Sequence, residues 1–108
     1  MPRILVTNDD GIRSDGLESL VVALGELGDV VAVAPLLESS AVSHSLTLRR
    51  PLRLDRIARG RFSVDGTPAD CINVAVVKLL RELPDVVVSG INKGANVGND
   101  ILYSGTIA

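Results

Sequence analysis

The sequence contains no tryptophan, one tyrosine and one phenylalanine. A single-stranded nucleic acid would find no aromatic platform to stack on, and any core must be built from Val, Ile, Leu and Ala. Cys71 is the single cysteine, which excludes an internal disulfide and any multi-cysteine metal site. His44 is the single histidine, and a lone loop histidine gives the usual hydrolase triads little support. No apolar run is long enough to cross a bilayer, and MPRILVTNDD lacks the basic, apolar and small-residue order of a signal peptide. A cytoplasmic, reducing setting with no membrane partner is expected. A net charge of −2 and a pI near 5.2 offer no field to attract polyanions, which argues against nucleic acid as a partner.

What is present is aliphatic. The 108 residues are 46% hydrophobic, enough apolar material for one domain spanning residues 1–108. RILVT, from Arg3 to Thr7, is a β-branched run stopped by Asn8-Asp9-Asp10-Gly11, and reads as a buried strand ending in a turn. From Gly16, the residues Leu17, Leu20, Val21, Leu24 and Leu27 recur at helical spacing up to Gly28-Asp29. Val30 to Pro35 is a second apolar strand, which completes a βαβ unit with parallel strands.

The stretch from Leu46 to Val64 carries six arginines, at 49, 50, 53, 56, 59 and 61. They alternate with Leu52, Leu54 and Ile57, as the wet face of a half-buried strand would, in a small hairpin or an irregular excursion. An RNA-contact surface is the competing reading. Thr67-Pro68-Ala69-Asp70 is a helix start, with Thr67 as cap and Asp70 reaching back, and the helix is expected to run to about Leu83 before Pro84-Asp85. Val86 to Ser89 is a third buried strand.

Each strand leads into a polar loop, and in a parallel sheet such loops share one crevice. Asp9 and Asp10 are adjacent carboxylates whose repulsion a cation or a shared proton would offset, although Asx residues before glycine also make ordinary turns. The second loop offers Ser39, Ser40, Ser43 and His44, and the third Asn92, Asn96 and Asn99. Oxygen donors of this kind suit a hard cation such as Mg²⁺, Mn²⁺ or Ca²⁺. The third loop is rich in glycine but is neither a Walker A motif nor GxGxxG. Its ending, Ser104-Gly105-Thr106, reads as a turn entering a helix: an anion site, or simply an N-cap. His44 is either incidental or a phosphate contact.

ILVTNDDGI, AVSHSLTL, DGTPADC and SGINKGANVGNDILYSGT together resemble the survival protein SurE family of metal-dependent 5′-nucleotidases and acid phosphatases, over essentially the whole chain and in the family's order. The resemblance implies a Rossmann-like three-layer α/β sandwich with a largely parallel sheet. It also implies one divalent ion per subunit, Mg²⁺ or Mn²⁺, and hydrolysis of nucleoside 5′-monophosphates and other phosphomonoesters in a homodimeric or homotetrameric cytoplasmic enzyme. By matching position, Asp9, Asp10, Ser40 and Asn92 would hold the metal, with Asp9, Asp10 and Asp100 as the catalytic carboxylates. Asn8, His44, Asn96, Ser104, Gly105 and Thr106 would meet the phosphate or the rest of the substrate. Ser43 stands where many members have glycine. Members are considerably longer, so the chain is expected to be the N-terminal part of the fold, with an exposed apolar face that favours self-association. The rival function is a non-catalytic nucleotide- or phosphate-binding α/β module.

Overall fold

The computed structural model describes residues 1–37, 52–91 and, as backbone, 102–104. The elements are β1 (Arg3–Thr7), α1 (Asp15–Leu24), β2 (Asp29–Pro35), β3 (Leu54–Ala58), β4 (Arg61–Val64), α2 (Pro68–Val74), β5 (Val86–Ser89) and β6 (Leu102–Ser104). They form one sheet in the order β3-β4-β2-β1-β5-β6. The inner strands β4, β2, β1 and β5 are parallel, while β3 and β6 close the two edges antiparallel.

The strand sequences are apolar without interruption because both faces are covered. Ile4 and Val6 of β1 join Ala32 and Ala34 of β2 beneath Leu17 and Val21 of α1. The intervening Leu5 joins Val33, Val64 and Val87 beneath Cys71 and Ala75 on the other face. Alternation along each strand thus divides one apolar run between two cores. The expected three-layer α/β sandwich with a largely parallel sheet is what forms.

Ser14 caps α1, its Oγ accepting the Leu17 N–H at 3.2 Å, and Asp15 and Glu18 place negative charge in the first turn. The helix ends at Leu24, short of the expected Leu27, which is 63% exposed. The reason is the next strand. For β2 to begin beside β1, the Asp29 N–H must reach the Pro2 carbonyl, at 2.8 Å, and Glu26 to Gly28 make the turn that delivers it.

At α2 the cap is as the sequence predicts: the Thr67 Oγ1 accepts from Asp70 N at 3.1 Å, and the Asp70 carboxylate accepts from Thr67 N at 2.9 Å. The length is not. Ala75–Leu79 widens into a π turn closed by the Leu80 N–H on the Ala75 carbonyl, and Leu80 is already extended. Pro84 disfavours helical backbone at Leu83, and Asp85 must donate its N–H to the Arg3 carbonyl, at 2.8 Å, to start β5. A cavity of about 160 Å³ lies between the start of the strands and the segment after the π turn, bounded by Ile4, Leu5, Val31, Leu80 and Pro84.

The arginine stretch enters the sheet as the β3–β4 hairpin, with β4 continuing parallel beside β2. The expected alternation holds only in part, since Ile57 is 40% exposed on an edge strand that bulges between Arg56 and Ala58. Arg61 makes two bonds to the Glu18 carboxylate, at 3.0 and 3.1 Å, and Arg53 pairs with Asp55 at 2.9 Å. These two guanidinium groups are engaged within the fold, as on a solvated structural face. Arg49 and Arg50 lie outside the described residues.

Candidate functional site

From β1 the chain passes through α1 to β2 and on to β4 on one side, then returns through α2 to β5 on the other side of β1. The strand order therefore reverses between β1 and β5, and ligands of open α/β sheets bind outside the carboxyl ends of the strands at such a point. The segments leaving β1 and β5 there are Asn8 to Ser14 and Gly90-Ile91.

Asn8 follows β1 directly and is wholly buried. Its Nδ2 donates to the Gly11 carbonyl at 2.9 Å and to Ser14 Oγ at 2.8 Å, while its Oδ1 accepts the Gly11 N–H at 3.1 Å. Ser14 is in turn the cap of α1, so one amide links the end of a strand, a turn and the start of a helix. Gly11 sits at φ 111°, a conformation that side chains disfavour. Beyond it, the Ile12 N–H bonds the Pro35 carbonyl at 2.8 Å and ties the loop to the end of β2. Asp9 and Asp10 occupy the middle of this frame, both half-buried.

The exit from β5 is held to the same frame. Gly90 donates its N–H to the Thr7 carbonyl at 2.9 Å. In the first turn of α1, Gly16 lies so close to the Ile91 backbone that a Cβ there would run into the Ile91 carbonyl oxygen. Glycine usually weakens a helix, and here its missing side chain admits a neighbouring segment.

Behind the site, the Thr7 hydroxyl is buried without a well-formed hydrogen bond and lies against the Cys71 thiol. Burial pushes that thiol up to about 12, outweighing the lowering by the Thr7 hydroxyl. Cys71 is therefore a neutral packed side chain at ordinary pH, not a nucleophile.

Of the sequence-predicted residues, the structure brings together Asn8, Asp9 and Asp10. Ser40, His44, Asn92, Asn96, Asp100, Gly105 and Thr106 lie outside the described residues. Ser104 is the last residue of β6, and the turn and helix expected from Gly105 onward lie outside the described residues. Its backbone is in register with Val86, itself in register with Ile4, whereas the site begins at Thr7 and its partner Ser89. β-pairing with β5 thus sets Ser104 toward the amino end of the sheet. Sequence reasoning missed Ser14 and Gly16. Ser14 had a signal, a hydroxyl residue just before the helical periodicity; Gly16 had none, because its role depends on a segment far along the chain.

No group of three His, Cys, Asp or Glu side chains with metal-binding geometry occurs among the described residues. Asp9 and Asp10 nevertheless fit part of a site for a hard cation, since both offer carboxylate oxygens, with no nitrogen or sulfur donor, from one rigid loop in the crevice.

The profile of the family described as Survival protein SurE matches residues 4–108. The chain belongs to that family. It is 56% identical over 106 residues to the 5′-nucleotidase SurE of Geotalea uraniireducens, covering 98% of this chain and 43% of the relative. With the 5′-nucleotidase SurE of Geobacter metallireducens the identity is 57% over 106 residues, covering 98% and 42%. The crystal structure of the SurE protein from Aquifex aeolicus superposes with a TM-score of 0.78 at 47% identity, over 91% of this chain and 40% of that one. The chain thus spans about two-fifths of the length of these SurE relatives.

Proposed function

We propose that the chain carries the metal-binding edge of a phosphomonoesterase that hydrolyses nucleoside 5′-monophosphates to nucleoside and phosphate. The observation that carries the reading is the Asp9-Asp10 pair, held at the β1–β5 strand reversal in a chain whose family relatives are named 5′-nucleotidases. Asp9 and Asp10, joined by Ser40 and Asn92, would hold one divalent ion, Mg²⁺ or Mn²⁺, with Ca²⁺ also compatible with an all-oxygen set. Such an ion supplies positive charge against the phosphoryl group and acidity to an attacking water.

The chain's own residues do the rest. Asp9 and Asp10 fix the position at which the phosphate is received. Asn96, His44 and the Ser104 to Thr106 segment supply donors to phosphate oxygens, and Asp100 orients the water or the loop. Of these, Ser104 has the weakest support, given its register in β6. A nucleophilic attack by Asp9 or Asp10 on phosphorus, forming an aspartyl phosphate, is the alternative route, and phosphate trapped on the protein during turnover would select it.

A second reading is a nucleotide- or phosphate-binding module without turnover. Mn²⁺-dependent release of phosphate from AMP or a chromogenic phosphate ester supports the first reading, and saturable AMP binding without release supports the second. Replacement Asp9→Asn is expected to abolish Mn²⁺-dependent release; retained activity removes Asp9 from the site. Homodimeric or homotetrameric assembly and a cytoplasmic location belong to the same proposal, and light scattering and cell fractionation check them. Among the described residues no helix is long and apolar enough to cross a membrane.

A further inference from the structure

We infer that Asn8 is a positioning residue for the Asp9-Asp10 pair rather than a contact to the phosphate. The inference rests on the reading of Asp9 and Asp10 as cation ligands. The Asn8 side chain is fully buried, and its amide is committed inward at both ends, to Gly11 through Oδ1 and to Gly11 and Ser14 through Nδ2. An amide has two N–H donors and one carbonyl acceptor, and here each N–H and the carbonyl has a partner within the protein. A phosphate oxygen would have to displace one of these bonds and enter a site closed to solvent.

The same bonds explain what the residue does. Asp9 and Asp10 are the two residues between Asn8 and Gly11, so an amide that closes on Gly11 from Asn8 fixes both ends of the short segment carrying the carboxylates. The bond to Ser14 Oγ registers that segment to α1, because the same oxygen accepts the Leu17 N–H. Without such a tie the segment between Asn8 and Gly11 is free to take other backbone paths. Asn8 therefore fixes the backbone that carries the pair before the ion arrives, which lowers the ordering cost of binding. Replacement by alanine opens the turn and removes the second partner of Ser14 while leaving the cap itself in place.

The test compares Asn8→Ala with Thr67→Ala, which removes the cap of α2 on the opposite face of the sheet and serves as a control for general loss of stability. Mn²⁺ binding to each 108-residue chain is followed by electron paramagnetic resonance of the free ion, and inorganic phosphate binding by calorimetry at saturating Mn²⁺. Asn8→Ala is expected to weaken Mn²⁺ binding tenfold or more, with Thr67→Ala binding as the parent does. Mn²⁺ affinity unchanged in Asn8→Ala overturns the inference, as does a loss of phosphate affinity alone, which would make Asn8 a phosphate contact. If the parent chain takes up no Mn²⁺, the cation reading itself falls, and positioning is judged from amide hydrogen exchange at Gly11 and Ile12. Faster exchange there in Asn8→Ala than in Thr67→Ala sustains the positioning role, and equal rates remove it. Should Asn8→Ala not fold, Ser14→Ala, which breaks one of the same bonds, is expected to weaken Mn²⁺ severalfold; parental Mn²⁺ affinity in that variant counts against the inference.

Discussion

The two ends of the parallel sheet are built differently. At the carboxyl end, the segments leaving β1, β2 and β5 are joined by hydrogen bonds through Asn8, Ile12 and Gly90, and the polar group at the centre of that network is completely buried. At the amino end, Arg3 reaches Glu82 at 3.0 Å and Asp85 at 4.0 Å through side chains that are about half or more exposed, beside a cavity that Arg3 and Glu82 help to line. Buried, fully paired polar groups hold one geometry, because any other leaves a donor or acceptor without a partner. Exposed ion pairs exchange readily with water and hold little. The difference lies in the side chains: backbone bonds from Asp29 to Pro2 and from Asp85 to Arg3 tie the strands at the amino end too, but the buried side-chain network stands at the end carrying Asp9 and Asp10.

On this contrast, changes at the carboxyl end should affect function more than stability, and changes at the amino end the reverse. The largest expected effect is that of Asp9→Asn, with loss of Mn²⁺-dependent phosphatase activity while the melting temperature in the absence of metal is kept, since the amide is isosteric with the carboxylate. A fall of several degrees in that melting temperature would show that the carboxylate is structural. Next is Leu5→Ala. Leu5 is 1% exposed at the centre of the α2-side core, and its truncation should cost roughly 2–5 kcal/mol in urea unfolding.

Gly16→Ala sharpens the comparison by its sign. On helix propensity alone the change would stabilise by up to about 1 kcal/mol, but the clash with Ile91 should reverse this and lower AMP turnover as the β5 exit is displaced. A stabilised variant with normal turnover would show that the close approach is unimportant. Val31→Ile, which adds a methylene into the amino-end cavity, should raise stability by about 0.5–1 kcal/mol with turnover unchanged.

The smallest effect expected is at the Arg61–Glu18 pair. The hydrogen bond from Arg61 is the main cause holding the Glu18 carboxyl below its ordinary value, with the Arg61 charge adding to it and burial opposing it. A depressed carboxylate contributes stability above its unfolded pKa and loses it as the pH falls through the lower folded value. Glu18→Gln should therefore lower stability slightly at pH 7, by under about 1 kcal/mol, with the difference from the parent shrinking in acid. The Glu18 side chain is 60% exposed, which keeps the effect small.

Much of this was legible before the fold. Arg3 to Thr7 and Val86 to Ser89 are strands at the very residues the apolar runs marked, and Thr67 to Asp70 closes the expected capping box. Asp9 and Asp10 stood out because adjacent acids after a strand need a physical reason. The helix ends were less legible. Leu27 and Leu83 continue the helical spacing, yet both are exposed, because the chain must leave each helix early to start the next strand in register. Ser104 ends a strand that no apolar run marked, and the helix entry read at Ser104-Gly105-Thr106 lies beyond the described residues.

By itself the sequence determined the short-range features: which runs are doubly buried strands, where helices start, and that an acidic pair follows the first strand. These follow from side-chain periodicity and from bonds between residues three or four apart. Only the tertiary structure decided that β1 and β5 are neighbours at the strand reversal, that the Asn8 amide turns inward to Gly11 and Ser14, and that Gly16 meets Ile91. Strand order and register depend on pairings between residues tens of positions apart, which no local pattern encodes, and whether a polar side chain faces ligand or protein is settled only when they form.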